Sequence, residues 1–397
     1  MSEDFEEDIS PITKMIDKLA TSTEIINQPI PEELGKILFN DIESLQNKVK
    51  QSVNDMIKDA AKYRHSITDK SKDLVHQIKR SSNDTRRLYF IDGTYNIDSS
   101  YMYSFFFVGT VSISNDEDLP PQRKVFAEII NGSEVINFLI GPLTILAELQ
   151  HAYEILKRDE NGYIYLDMSF ISLITQLNRF STMYDFNSND EIWDFPKVKE
   201  LTLFYQSNFL KDIFESNRVF ALPKQTSKSE IQKQIFGNFT GFTDSSLFTT
   251  LLTKDEYILH PKLTLRYLKK RGNIGSNKTK MLIGSRDYIL DFYSNEGFQF
   301  VYLRGYDWAP AIRIEIPNNY LDDTTRKSHI DNLISLIIEH MRYPELRQPY
   351  LMYIVDLLAK ELYMGSIAMK SAINDPIMKD ILSRVKVIGL LFQDYRG

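Results

Sequence analysis

Three runs between Leu88 and Asn131, "LYFID", "YMYSFFFVGTVSIS" and "KVFAEIIN", constrain this chain more than any other feature. They are dense in aromatic and β-branched residues, which pack well on a pleated surface, and turn-forming residues separate them. Three successive strands are therefore expected. "PLTILAELQHAYEILKR" then reads as a helix with Pro142 near its first turn, followed by the strand "GYIYLDMSF" and a helix beginning at "ISLITQLNRF". Further on come an aromatic-rich helical region to Ser216, the strand "RVFALPK", a late hairpin of "FQFVYLRG" and "AIRIEIP", and mostly helix from Thr325 to Val387. Strands grouped first and then alternating with helices imply an α/β protein with a mixed sheet.

Ahead of this core, residues 1–10 carry five acids and read as a tail. From Pro31 to about Arg80 the pattern is helical: Leu34, Ile37, Leu38, Ile42, Leu45, Val49, Val53, Ile57 and Ala60 recur at helical steps. The division expected is an acidic tail and helical arm over 1–84 and a main domain over 85–397. The apolar stripe of the arm suits its own core or a partner, and self-packing is the default. Lys269 to Lys280, "KKRGNIGSNKTK", reads as a mobile loop.

Composition narrows the chemistry. The 397 residues contain no cysteine and only six histidines, so any metal is expected on oxygen ligands. The net charge of −7 argues against a uniformly basic surface but leaves room for a local basic groove. With an acidic N-terminus and no long uninterrupted apolar run, a cytoplasmic protein without a membrane segment is expected.

Two strand-like runs end on an acid: "YFIDGTYN" at Asp92 and "YIYLDMSF" at Asp167. Between them Glu148 lies on the helix "TILAELQHAYEIL", flanked by Leu146, Leu149 and Ile155. Two strand-end acids and one helix acid can converge at one end of a sheet. Together they would repel unless a cation such as Mg²⁺ or Mn²⁺ joined them. Taken singly, each acid equally suits a turn or a helix cap. His151 follows Glu148 by three residues, a spacing that does not by itself make a ligand. Phe105, Phe106 and Phe107 read as core.

The order of these motifs resembles the NurA nucleases, DNA-end-processing enzymes that work with a HerA-type hexameric translocase. That family's pattern is a strand ending in "DGS", a helix-borne Glu and a second strand ending in "DGS". Here these are Asp92 in "FIDGTYN", Glu148 in "LAELQ" and Asp167 in "YLDMSF", with Thr94 in place of Ser and Met168 in place of Gly. Over residues 85–365 the resemblance continues in "VFALPKQTSKSEI", giving Lys224 and Ser227, and in the late hairpin, giving Arg313 and Glu315. The C-terminal helix gives Asp356, either a further metal ligand or a packing acid.

The resemblance implies an RNase H-like core and a Mn²⁺- or Mg²⁺-dependent deoxyribonuclease. Asp92, Glu148 and Asp167 would hold the metal, with Lys224 and Asp356 assisting. It further implies 5′-to-3′ exonuclease and single-strand endonuclease action in DNA end resection and repair, on double-stranded ends and single strands. A homodimer working with a HerA-type ATPase is part of the same implication. The alternatives are a non-catalytic NurA-like docking subunit and a helix-rich scaffold.

Overall fold

The computed structural model describes residues 75–80, 86–99, 103–130, 135–186, 190–223, 243–263, 297–317, 323–341 and 346–384, with Tyr343 and scattered positions between 42 and 64. The acidic tail, the loop at 269–280, Lys224 and Ser227 lie outside the described residues. The chain divides into two compact units, 1–59 and 60–397.

In the first unit the described residues from 42 to 58 are helical, as the apolar spacing predicts. The stripe is not core-facing. Ile42, Leu45, Val49, Val53 and Ile57 each keep at least 41% of their surface exposed.

The second unit is built on a nine-stranded sheet in the order β1-β7-β8-β9-β6-β5-β2-β3-β4. Its strands are β1 (Val75–Gln77), β2 (Leu88–Ser99), β3 (Ser104–Ser114), β4 (Gln122–Ile130), β5 (Tyr163–Leu166), β6 (Val219–Ala221), β7 (Glu256–Leu263), β8 (Phe298–Arg304) and β9 (Ile312–Pro317). Among the described residues only β2–β5 and β5–β6 pair in parallel; the other pairs are antiparallel. The helices are α1 (Val135–Arg158), α2 (Phe170–Phe186), α3 (Pro196–Gln206), α4 (Phe209–Glu215), α5 (Asp244–Leu251), α6 (Asp323–Glu339) and α7 (Tyr350–Arg384).

Alternation along each strand sorts side chains between two cores. Tyr89, Ile91, Phe106 and Val108 face α1 to α5, whereas Leu88, Phe90, Tyr163 and Tyr165 face α6 and α7. The three consecutive phenylalanines are core, as read from the sequence: Phe106 enters the α1 side, while Phe105 and Phe107 form a small cluster with Tyr103. By length and composition α1 is apolar enough to cross a membrane. Two-thirds of its most apolar window is buried within the protein, as for a core helix.

Several local expectations are corrected. β2 does not end at Asp92 but runs on to Ser99, because β3 pairs with it throughout, Asp92 opposite Val111 and Gly93 opposite Thr110. Pro142 lies well inside α1, which starts at Val135: Ile136, Leu139 and Ile140 extend the buried stripe before the proline. Two strands were not legible in the sequence. β1 is a short edge strand falling inside the stretch read as helical. β7 contains Pro261, which stands where its register with β8 shifts between His260 and Leu263, the position at which a strand tolerates a missing donor.

His151 is structural. It is buried on α1, with Nδ1 3.1 Å from Thr110 Oγ1 and Nε2 3.1 Å from Ser112 Oγ. Burial, with Lys124 and Arg158 adding positive charge, lowers its pKa to about 3. The folded state thus resists a proton that the unfolded chain takes up below about pH 6.5. Its contribution to stability is present above that pH and falls by up to about 1.4 kcal/mol per unit as pH drops toward 3. Urea unfolding at pH 7, 6 and 5 is expected to show wild type losing more stability on acidification than His151→Gln, which cannot titrate.

Candidate metal centre

Parallel pairing keeps equivalent residues of β2 and β5 level. The register runs from Leu88 opposite Tyr163 to Ile91 opposite Leu166, and the Asp167 amide donates to the Ile91 carbonyl at 3.1 Å. Asp92 and Asp167 are each the next residue. On the α7 side Phe90 and Tyr165 stack at 4.9 Å. The aspartates lie two residues further along their chains, so they share that face.

The third acid comes from α7. This helix runs beside the far half of β2: Asn96 Nδ2 donates to Ser366 Oγ at 2.9 Å, and Lys370 pairs with Asp98. From Asp356 to Lys370 the helix rises about 21 Å. From Asp92 to Asp98 the strand advances about 20 Å. The two therefore stay level, and Asp356 stands over Asp92. One carboxylate oxygen from each of Asp92, Asp167 and Asp356 lies within 4.8 Å of the others, all three residues being half-buried. Asp356 also accepts from the exposed Lys360 at 2.6 Å, and Asp92 Oδ1 accepts from the Gly93 amide at 2.8 Å.

Glu148 approaches the same strand from the opposite face. It is buried on α1, and its Oε1 is 2.2 Å from where a Cβ on Gly93 would stand. Gly93 is thus required as a place for a carboxylate to lie against backbone, not as a strand break. The acid gathered with the two strand aspartates is Asp356, while Glu148 sits beside them across β2. The sequence left Asp356 open between ligand and packing acid, since nothing in "LMYIVDLLAKEL" tells which strand its helix covers.

Arg313 and Glu315 form a buried ion pair at 2.6 Å under α2 and α5. Burial opposes the Arg313 charge, but Glu315, Tyr302 and Asp244 together hold it firmly protonated. Glu315 also accepts from Ser169 Oγ and from the Phe170 amide.

The donor set fits a small hard cation. Oxygens around Mg²⁺ lie about 2.1 Å from the ion, hence about 3 to 4 Å from one another. The three carboxylate oxygens, all within 4.8 Å of one another, stand close to that spacing. Without a cation, two ionised carboxylates at this spacing repel by on the order of 3 kcal/mol at an effective dielectric near 20, less where water screens them.

No protein-family model matches the chain, and no curated protein matches it. Among solved structures, the NurA nuclease from Sulfolobus solfataricus superimposes with a TM-score of 0.53 at 14% identity, over 85% of this chain and 97% of that one. A structure of NurA with manganese gives a TM-score of 0.47 at 10% identity, over 83% and 98%. The likeness to the first is one of fold.

Asp356→Asn removes one charge and keeps shape. In metal-free buffer it is expected to melt higher than wild type by about 1–3 °C, the shift that relief of roughly 1 kcal/mol gives in a chain of this size. Added Mn²⁺ should then raise the melting temperature of wild type but not of the variant, as read by scanning calorimetry.

Proposed function

We propose that the chain is a metal-dependent deoxyribonuclease with an RNase H-like core. One observation carries this reading: Asp92, Asp167 and Asp356, from three separate elements, bring carboxylate oxygens within 4.8 Å of one another. A fold like that of a nuclease adds to it. The sub-sheet β4-β3-β2-β5-β6, an antiparallel meander joined by two strands parallel to β2, with α1 crossing between β4 and β5, supports the RNase H-like assignment.

Asp92, Asp167 and Asp356 would hold Mn²⁺ or Mg²⁺, with Glu148 alongside. Such an ion supplies a polarised phosphoryl oxygen and water acidic enough to lose its proton near neutral pH. The chain's own contribution is orientation. β2 fixes Asp92 on paired backbone, α7 fixes Asp356, and partial exposure leaves the carboxylates open to a phosphodiester. Lys224, outside the described residues, is assigned the contact to the scissile phosphate as a point charge.

The substrate we assign is DNA, at double-stranded ends with 5′-to-3′ polarity and in single strands, within DNA end resection in the cytoplasm. The nuclease domain is assigned to 85–397 together with its edge strand β1, and the residues ahead of β1 serve as the arm. The exposed stripe of Ile42, Leu45, Val49, Val53 and Ile57 offers the apolar surface that a homodimer or a HerA-type ATPase would cover.

Linear DNA incubated with Mn²⁺ is expected to be degraded, and Asp92→Asn or Asp356→Asn should slow this by at least about 100-fold. That exceeds what loss of a merely supporting contact usually costs. Full activity in either folded variant would contradict the reading. Replacing Leu45, Val49 and Val53 by Asp should lower the mass seen by light scattering from dimer to monomer while each protomer stays folded.

A further inference from the structure

Asp167 stands on a turn rather than within a strand: β5 ends at Leu166 and α2 begins at Phe170. The Asp167 amide ties the start of this link to the Ile91 carbonyl, and a second anchor holds its far end. Glu315, two strands away on β9, supplies that second anchor and is completely buried. Its Oε1 accepts from Ser169 Oγ at 2.8 Å and its Oε2 from the Phe170 amide at 2.7 Å. Both donors lie within three residues of Asp167. The Phe170 amide is one of the first-turn donors that α2 cannot satisfy internally, so a carboxylate there meets an unpaired donor and the positive end of the helix.

A buried carboxylate needs a counter-charge. Arg313 provides it from the same face of β9 at 2.6 Å, its guanidinium 4.2 Å above the Phe300 ring. This network lies on the α2 side of the sheet, whereas the three aspartates share the α7 side. Glu315 therefore acts on the centre through backbone.

Resting on the metal-centre reading above, we propose that the Arg313–Glu315 pair is a positioning device. Through Ser169 and the Phe170 amide it holds Asp167 at the spacing a small divalent ion needs. It thereby sets both the affinity of the centre and its preference for Mn²⁺ over Ca²⁺. A fixed carboxylate favours the short bonds and regular octahedron of small ions, whereas Ca²⁺ tolerates longer and looser coordination.

The test is calorimetric titration of the full chain with Mn²⁺ and with Ca²⁺, for wild type, Ser169→Ala, Ser169→Thr and Asp167→Asn. Ser169→Ala removes one tether and leaves the buried ion pair intact. Its Mn²⁺ dissociation constant is expected to rise roughly 10-fold. Ca²⁺ binding should change less, so the ratio between the ions falls, and Ser169→Thr, which keeps the hydroxyl, should restore both. A merely structural serine would move the melting temperature and not the ion ratio. Wild-type binding of both ions by Ser169→Ala, alongside lost Mn²⁺ binding in Asp167→Asn, would overturn the positioning role and leave the centre standing. Undiminished Mn²⁺ binding by Asp167→Asn would overturn the centre itself, and this inference with it.

Discussion

When two strands run in the same direction, their hydrogen bonds hold equivalent residues side by side, and the juxtaposition of Asp92 with Asp167 follows from that pairing between β2 and β5. The amide of Asp167 is itself engaged with the Ile91 carbonyl, so the last rung of the ladder lies immediately beside the first two acids. Had β5 paired one residue out of register, Asp167 would point to the α1 side and no cluster would form. The buried apolar residues on both faces make such a slip costly. Ile91 and Leu166 belong to one core and Phe90 and Tyr165 to the other, and a slip would misplace all of β5 at once.

The same two-faced strand explains the rest of the neighbourhood. β2 shows Asp92, Asn96 and Asp98 to α7, and the matched rise of helix and strand brings Asp356, Ser366 and Lys370 level with them. Towards α1 it shows Gly93, where the lack of a side chain admits the Glu148 carboxylate. Negative charge is thereby concentrated around one stretch of backbone from both sides. Elsewhere the protein offsets its buried charge: Glu315 has Arg313, and Glu256 is held below the ordinary carboxylate range, burial being outweighed by bonds from Thr253 and Arg64. In the cluster on β2, β5 and α7, Asp356 is paired with the exposed Lys360, and a divalent cation would join the three carboxylates.

Much of this architecture was legible because strand and helix leave different periodicities. The strands β2 to β6, the β8–β9 hairpin and the C-terminal helices stand where aromatic and β-branched runs or helical spacing put them. The errors share a cause. "IDGT" looks like a strand end because glycine after aspartate usually turns the chain, but β3 supplies a continuous partner and Glu148 a reason for the glycine. β1 carries too little periodicity to be seen, and Pro142 looks like a helix start although tertiary packing carries α1 past it. At the site, Asp92, Glu148 and Asp167 were readable as motifs. The closeness of Asp356 was not, since it depends on which strand α7 covers. Nor could a two-residue spacing reveal that Glu315 reaches Ser169 across two strands.

The central claim is that Asp92, Asp167 and Asp356 together bind a small divalent cation. Anomalous diffraction from crystals soaked in Mn²⁺ addresses it directly. The account predicts a single dominant peak bounded by one oxygen from each of the three aspartates, at about 2.1–2.2 Å from each, close to the bond length of other small hard cations. A well-ordered cluster with no anomalous peak, or a peak on carboxylates elsewhere in the chain, would contradict it.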